Sequence, residues 1–226
     1  MKHLLDQPVW NALVSGNSNL SYGIAAAKYF DKAVSPFADV EDQDSDNFKM
    51  LYEIMPDNQG VVIFPSINEN LKAAQWSVIS RIDGFQMVYN GPVQELKNEQ
   101  TIQPLGSSNI SAMLSLTKQT EPGPFAEKTI DFGHYHGIFS DNKLVAMAGQ
   151  RLHPGTFAEI SGVCTHPDFT GKGFARQLIL HQIRRILENN ETPFLHVKSE
   201  NFSAIKLYQS IGFEIRTEIF FHIFKK

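Results

Sequence analysis

The last part of this chain holds a glycine loop, Thr170-Gly171-Lys172-Gly173-Phe174-Ala175, between an apolar segment, Phe157–Thr165, and a long amphipathic run. Glycine lets the backbone approach a ligand closely, and the unpaired N–H groups of a helix's first turn attract phosphate. A strand, a glycine loop and a helix in that order make a pyrophosphate cradle. Two common cradles are excluded. A P-loop needs Ser or Thr after its lysine, and Lys172 is followed by Gly173. The dinucleotide fingerprint needs a third small residue, and Arg176 stands there. Inside the apolar segment lies Glu159. A carboxylate in such a strand either finds a partner, such as Arg151, or has its pKa raised. A raised carboxylate can take a proton from an ammonium group, directly or through water. Strand alternation puts Glu159, Ser161, Val163 and Thr165 on one face and Ala158, Ile160, Gly162 and Cys164 on the other. Cys164 is the only cysteine, and no local pair of a partnering His and an orienting residue activates it, so it reads as a structural thiol in a core strand. His134-Tyr135-His136 has metal-binding spacing on one strand face, but no Cys or carboxylate constellation accompanies it, and no metal is expected.

These groups need elements to position them. Phe174–Glu188 is an amphipathic helix, with Ala175, Leu178, Ile179, Ile183, Ile186 and Leu187 on one face. A strand over Pro193–Val197 and a helix over Ser203–Ser210, stopped at Gly212, follow. Phe213–Arg216 and Ile219–Phe224 close the sheet. Upstream, Phe85–Tyr89 reads as a strand and Ser108–Leu116 as a helix. Tyr135–Phe139 and Lys143–Arg151 form a hairpin across Ser140-Asp141-Asn142. In the first region, a short helix starts at Pro8 and a second spans Asn19–Lys32. The acidic run Asp39–Asp46 reads as a solvated loop, because no glycine completes a calcium-loop pattern. Val61–Phe64 is a buried strand, and Trp76–Ile79 begins another. The pattern changes near Gly84, so the expected division is an N-terminal α/β extension, 1–83, and a main domain, 84–226. A degenerate copy of the main fold is one reading of the first region.

The loop resembles motif A of the GNAT superfamily of N-acetyltransferases, [QR]-x-x-G-x-[GA]. Thr170 stands where that family usually carries Gln or Arg, which changes one side-chain contact and leaves the backbone cradle. Downstream, Asn201-x-x-Ala204-Ile205-x-Leu207-Tyr208-x-x-x-Gly212-Phe213 resembles the family's motif B. The segment Phe157–Ile160 is similar to the start of the same strand in histone acetyltransferases of the superfamily. The resemblance covers the chain from about Gly84 onward. It implies an α/β fold, with a mixed central sheet, flanking helices and a splayed gap between the motif A and motif B strands. It implies acetyl-CoA as donor and direct transfer to a primary amine of a small molecule, amino acid or peptide. The pyrophosphate contacts would come from Thr170, Gly171, Lys172, Gly173, Phe174 and Ala175, and the pantetheine contacts from Val163, Cys164 and Thr165. The Cys164 N–H would steady the oxyanion. Glu159 takes the place of the family's base, and Tyr208 that of the acid which protonates the leaving thiolate. An unperturbed tyrosine, near pKa 10, lies above a thiol and can donate to it. Asn201 is either a coenzyme contact or a helix N-cap. His134 and His136 are expected to line the acceptor pocket. Lys172, Arg176, Lys198 and Lys206 are cations that reach the phosphates or stay solvated.

Composition narrows the classes. The chain has 226 residues, 42% of them hydrophobic, which suffices for a sizeable core. A net charge of −4 does not favour nucleic acid or anionic membrane as a partner. The segment MKHLLDQPVW lacks the apolar stretch of a signal peptide, and no apolar run approaches a membrane span. A soluble cytoplasmic enzyme, monomer or homodimer, is the expectation. The alternative is a coenzyme-binding sensor or interaction module, which would need neither Glu159 nor Tyr208.

Overall fold

The computed structural model describes residues 3–73, 75–92, 94 and 102–226. Its centre is an eight-stranded sheet in the order β4-β11-β5-β10-β9-β8-β7-β6. The strands are β4 (Val61–Ser66), β5 (Ser77–Tyr89), β6 (Ile102–Pro104), β7 (His136–Ser140), β8 (Lys143–Gln150), β9 (Phe157–Thr165), β10 (Thr192–Lys198) and β11 (Phe213–Lys225). Only β9 and β10 run parallel; the other neighbours are antiparallel. A small sheet of β1 (Ser21–Ile24), β2 (Ala27–Phe30) and β3 (Ala38–Val40) stands beside it. No helix among the described residues is long and apolar enough to cross a membrane.

Two faces of the large sheet are covered differently. On one, α4 (Phe174–Glu188) and α5 (Phe202–Ile211) pack Ile179, Ile183, Ile186, Ile205 and Tyr208 against Ala158, Ile160, Leu195 and Met87. The spacing of the α4 residues is one helical face, and burying each such side chain contributes about 1.5–3 kcal/mol. On the other, α1 (Pro8–Leu13) brings Val9, Ala12 and Leu13 onto a cluster with Phe30, Phe37, Ile63 and Phe194. Next to it, α3 (Ile110–Thr120) places Met113 and Leu116 over Met147 and Cys164. The fold class is the expected mixed α/β sheet with flanking helices.

Several expectations need correction. The boundary between residues 83 and 84 falls inside β5, whose 13 residues form one unbroken strand. The first region thus supplies β4 and residues 77–83 of β5, both paired with β11, while residues 84–88 of the same strand pair with β10. The expected helix over Asn19–Lys32 is instead the β1–β2 hairpin. Leu20, Ile24 and Ala27 have helical spacing, yet Ala27 and Phe30 are drawn into separate cores. At Gly23 a Cβ would stand 2.2 Å from the Ala27 carbonyl oxygen, so only glycine fits that pairing. The acidic run is a loop only in part. Asp39 is fully buried in β3, and Asp44 caps a helix that sequence reading missed, α2 (Ser45–Ile54), by accepting the Asn47 N–H at 2.9 Å. Phe213–Lys225 is one strand, with a register shift between Ile215 and Thr217 where two strands were expected.

Candidate active site

The neighbours β9 and β10 are paired only over Thr192–Phe194 against Phe157–Glu159. Beyond Phe194 and Glu159 both strands continue without pairing to each other. A wedge therefore opens in the sheet, with its apex at Glu159. It leaves the edge-facing backbone groups of β9 available to a ligand.

A bulge shapes the β9 side of this wedge. Ser161 stands opposite Gly149 and Cys164 opposite Met147, so Gly162 and Val163 share one place opposite Ala148. Gly162 has φ +63°. The bulge resets the alternation expected from sequence. Val163 joins Ala158 and Ile160 under α4, whereas Cys164 faces α3. The bulge also decides which amides are free. The His166 N–H donates to the Val145 carbonyl at 2.8 Å, and antiparallel alternation then gives the Cys164 N–H to Met147 on β8. The amides of Val163 and Thr165 point the other way, into the wedge. Cys164 thus loses its expected oxyanion role, because its N–H belongs to the ladder. Its thiol is buried and pushed up to about 11 by that burial, in keeping with a structural role. The Thr165 hydroxyl oxygen is buried and has no partner among the described residues.

At the end of β9 a short turn, Pro167–Phe169, leads to the glycine loop. Gly171 has φ +77° and Gly173 φ +79°, a left-handed backbone that glycine adopts without strain. A Cβ at either would meet nothing within 4 Å, so the space over the loop is open. Gly173 is the N-cap of α4 and provides no side-chain cap, leaving the first-turn amides exposed to an anion. Lys172 lies over the Phe169 ring at 4.3 Å. Arg176 is engaged by the Gln94 side chain at 2.6 Å and by the Ser210 hydroxyl at 3.4 Å. Lys198 and Lys206 are exposed.

At the apex, Glu159 is 0% exposed and held from three sides. Arg151 donates from Nε to Oε2 at 2.8 Å and from Nη2 to Oε1 at 2.6 Å. His196 Nδ1 stands 2.8 Å from Oε1. Burial raises the carboxyl pKa, but Arg151 and His196 overcome it and hold the group at about 2. The expected raised carboxylate is therefore corrected: Glu159 is a satisfied ion-pair partner. The chain of contacts continues across the sheet. The Gln86 side-chain N–H₂ reaches His196 Nε2 at 3.0 Å and the Leu5 carbonyl at 2.9 Å. Arg216 donates to Gln86 Oε1 at 2.7 Å and to the Asp6 carboxylate. With Gln86 donating to Nε2, His196 carries its proton on Nδ1 and gives it to Glu159.

Tyr208 comes from α5 and joins the cluster of α4, α5 and sheet residues, its ring 6.0 Å from that of Phe213. Burial raises its phenol to about 12. No described residue hydrogen-bonds its hydroxyl. Asn201 caps α5, accepting the Ala204 N–H at 3.2 Å. His136 faces α4, with its ring 4.4 Å from that of His181, and His134 lies 6.1 Å from His153. The pair therefore does not line the Glu159 side of the wedge. Tyr135, between them, packs with Cys164, Met147 and Phe125 in the cluster under α3, near enough to Arg151 and Glu159 to feel their charges.

The family model of the FR47-like proteins matches residues 135–221, which span the bulge, loop and wedge. A solved chain from Novosphingobium aromaticivorans, assigned to the GNAT family of acetyltransferases, is 33% identical, with a TM-score of 0.91 over 100% of this chain and 99% of its own. The [ribosomal protein bS18]-alanine N-acetyltransferase of Salmonella typhimurium is 29% identical over 123 residues, 52% of this chain and 82% of its own. A GCN5-related N-acetyltransferase from Kribbella flavida, at 12% identity and TM-score 0.67, shares the fold over 98% of this chain and 95% of its own.

Proposed function

Since this chain belongs to the GNAT family and is an N-acetyltransferase, we propose that it takes acetyl-CoA into the wedge between β9 and β10 and acetylates a primary amine there. The unpaired stretch of two neighbouring parallel strands is the observation that carries this reading. The residues present fit the coenzyme. The open space over Gly171 and Gly173 admits a pyrophosphate, and the amides of Lys172, Phe174 and Ala175 would hold it. Thr170 would add a hydroxyl, although that hydroxyl already donates to the Pro167 carbonyl at 2.9 Å. The amides of Val163 and Thr165, with the unpartnered Thr165 hydroxyl, would hold the pantetheine arm. Asn201 keeps its side-chain N–H₂ for the same arm, since only its oxygen is used in the cap. Acetyl-CoA supplies an activated thioester.

The chain's own residues then divide the work. The Val163 amide, turned into the wedge by the bulge, donates to the carbonyl oxygen as charge grows on it. Tyr208 stays protonated at neutral pH and gives its proton to the departing thiolate. Glu159, paired with Arg151, fixes the apex of the wedge. The amine's proton leaves through solvent, because both oxygens of Glu159 are already held by Arg151 and His196. The acceptor class is a primary amine of a small molecule, amino acid or peptide N-terminus. The test is free-thiol release from acetyl-CoA over a panel of such amines, beside the melting temperature with CoA. A rise in melting temperature with CoA and amine-dependent thiol release are expected. An equal rise with NAD, or no release with any amine, refutes the reading.

A further inference from the structure

Tyr135 is the residue of the wedge that packing does not account for. Its ring is 3% exposed and lies flat across two glycines of neighbouring strands. A Cβ at Gly149 would stand 2.4 Å from its Cδ1 and Cε1. A Cβ at Gly162 would stand 3.2 Å from its Cε1 and 3.8 Å from its hydroxyl oxygen. The ring therefore runs from β8 toward β9, with the hydroxyl end at the bulge. Phe125 stands edge-on to it, with centroids 5.6 Å apart at 86°, and also comes within 4.0 Å of the Gly162 position. The charges of Arg151 and Glu159 act on the hydroxyl from the apex. No described residue hydrogen-bonds it. The ring is buried, yet the oxygen is not one of the sealed side-chain atoms without a partner, so the hydroxyl end is open to a ligand while the core makes no use of it.

Resting on the acetyltransferase reading, we propose that the Tyr135 hydroxyl contacts the acceptor, with its oxygen accepting one N–H of the attacking amine beside Gly162. Phe125 forms the apolar wall of that place. The contact leaves the amine lone pair free and turns it toward the face of the bulge where the Val163 amide emerges. No bond is made or broken by Tyr135; it orients the nucleophile.

The test uses the full chain and Tyr135→Phe. Glycine amide, alanine amide, phenylalanine amide, lysine and spermidine are screened with the wild type for thiol release, and the fastest is carried forward. In the variant, kcat/KM for that amine should fall about tenfold, the worth of one lost hydrogen bond to a substrate. Affinity of the same amine for the CoA-loaded protein, measured by calorimetry, should weaken by a similar factor. The melting temperature and its rise with CoA should match the wild type, because ring and packing are unchanged. Unaltered amine affinity and turnover would overturn the proposal and leave Tyr135 as packing. A lost CoA response would also overturn it, assigning the residue to the coenzyme site. A wild type that responds to CoA but releases thiol with no amine would fail the acetyl-transfer reading itself. A wild type that turns over, with a variant equal to it, fails only the assignment of Tyr135.

Discussion

Replacing Glu159 by glutamine keeps the shape of the side chain and removes its charge. Both carboxylate oxygens are in use, Oε1 by Arg151 Nη2 and His196 Nδ1, and Oε2 by Arg151 Nε with the Leu152 N–H at 3.4 Å. Whichever way the new amide is turned, its N–H₂ faces a donor of Arg151. The guanidinium, only 11% exposed, is left with its charge uncompensated. Breaking a buried pair by removing one partner costs about 3–5 kcal/mol. For a chain of this size each kcal/mol moves the melting temperature about 2–4 °C, so Glu159→Gln should melt roughly 10 °C lower at pH 7. The sign of the pH dependence follows from the shift. The folded-state value, about 2, lies below the unfolded 4.5, so the pair contributes stability above pH 4.5 that is lost as pH falls toward 2. The gap between wild type and variant should therefore be full at pH 7 and narrow in acid. The measurements are melting scans at pH 7 and pH 3, and kcat/KM of the surviving enzyme against pH. A group already ionised throughout the assay range contributes no kinetic pKa, so the profile should keep its shape. A variant that melts like the wild type, yet loses turnover and shifts its profile, would make Glu159 the base and refute the argument.

Three further outcomes are expected. Gly173→Val should abolish the rise in melting temperature with CoA, since it fills the open cradle and forces a β-branched residue to φ +79°; an undiminished rise would place the coenzyme elsewhere. Tyr208→Phe should lower kcat by about 10²–10⁴-fold with CoA affinity nearly unchanged, if thiolate departure limits the rate; an equal kcat would reduce Tyr208 to packing. Asp39, held by the Trp10 and Val40 amides and the Gln43 side chain with no cation among the described residues beside it, is pushed by burial from 3.8 to about 7. Raised in the folded state, it favours folding most below pH 4 and loses about 4 kcal/mol by pH 7, at 1.36 kcal/mol per unit. Asp39→Asn should flatten the fall in melting temperature between pH 4 and pH 8; an equally steep fall in the variant would show that another group drives it.

The legible parts of this molecule were those with local causes. The α4 helix was readable to both ends, because Gly173 opens it, one apolar stripe runs along it and Asn189-Asn190 closes it. The glycine cradle and the motif around Asn201 and Tyr208 were readable for the same reason. What failed depends on distant partners. Asp39 looked solvated among four other acids and is buried because α1 and Gln43 close over it. The β1–β2 hairpin looked helical because two separate cores draw its apolar residues apart. The face of Cys164 was misread because a one-residue bulge leaves only a glycine as its signature, and Gly162 is one of many. Tyr135 carried no signal of its own; Gly149 and Gly162 give it room only once β8 and β9 are paired.

The place of β5 between β10 and β11 sets a rule for how the enzyme comes into being. Residues 77–89 leave the ribosome long before the strands they must pair with, Thr192–Lys198 and Phe213–Lys225. The edge strand β4 waits as well, for β11 is its neighbour in the large sheet. Such distant pairings are slow to find, and the waiting strands expose unpaired edges prone to aggregation. That outer part of the sheet, β4 and the first half of β5, can therefore close only when β11 is made. A chain cut before Phe213 would leave β4 and residues 77–83 of β5 without the strand they pair with, and an expression truncation there should yield insoluble protein rather than a smaller acetyltransferase.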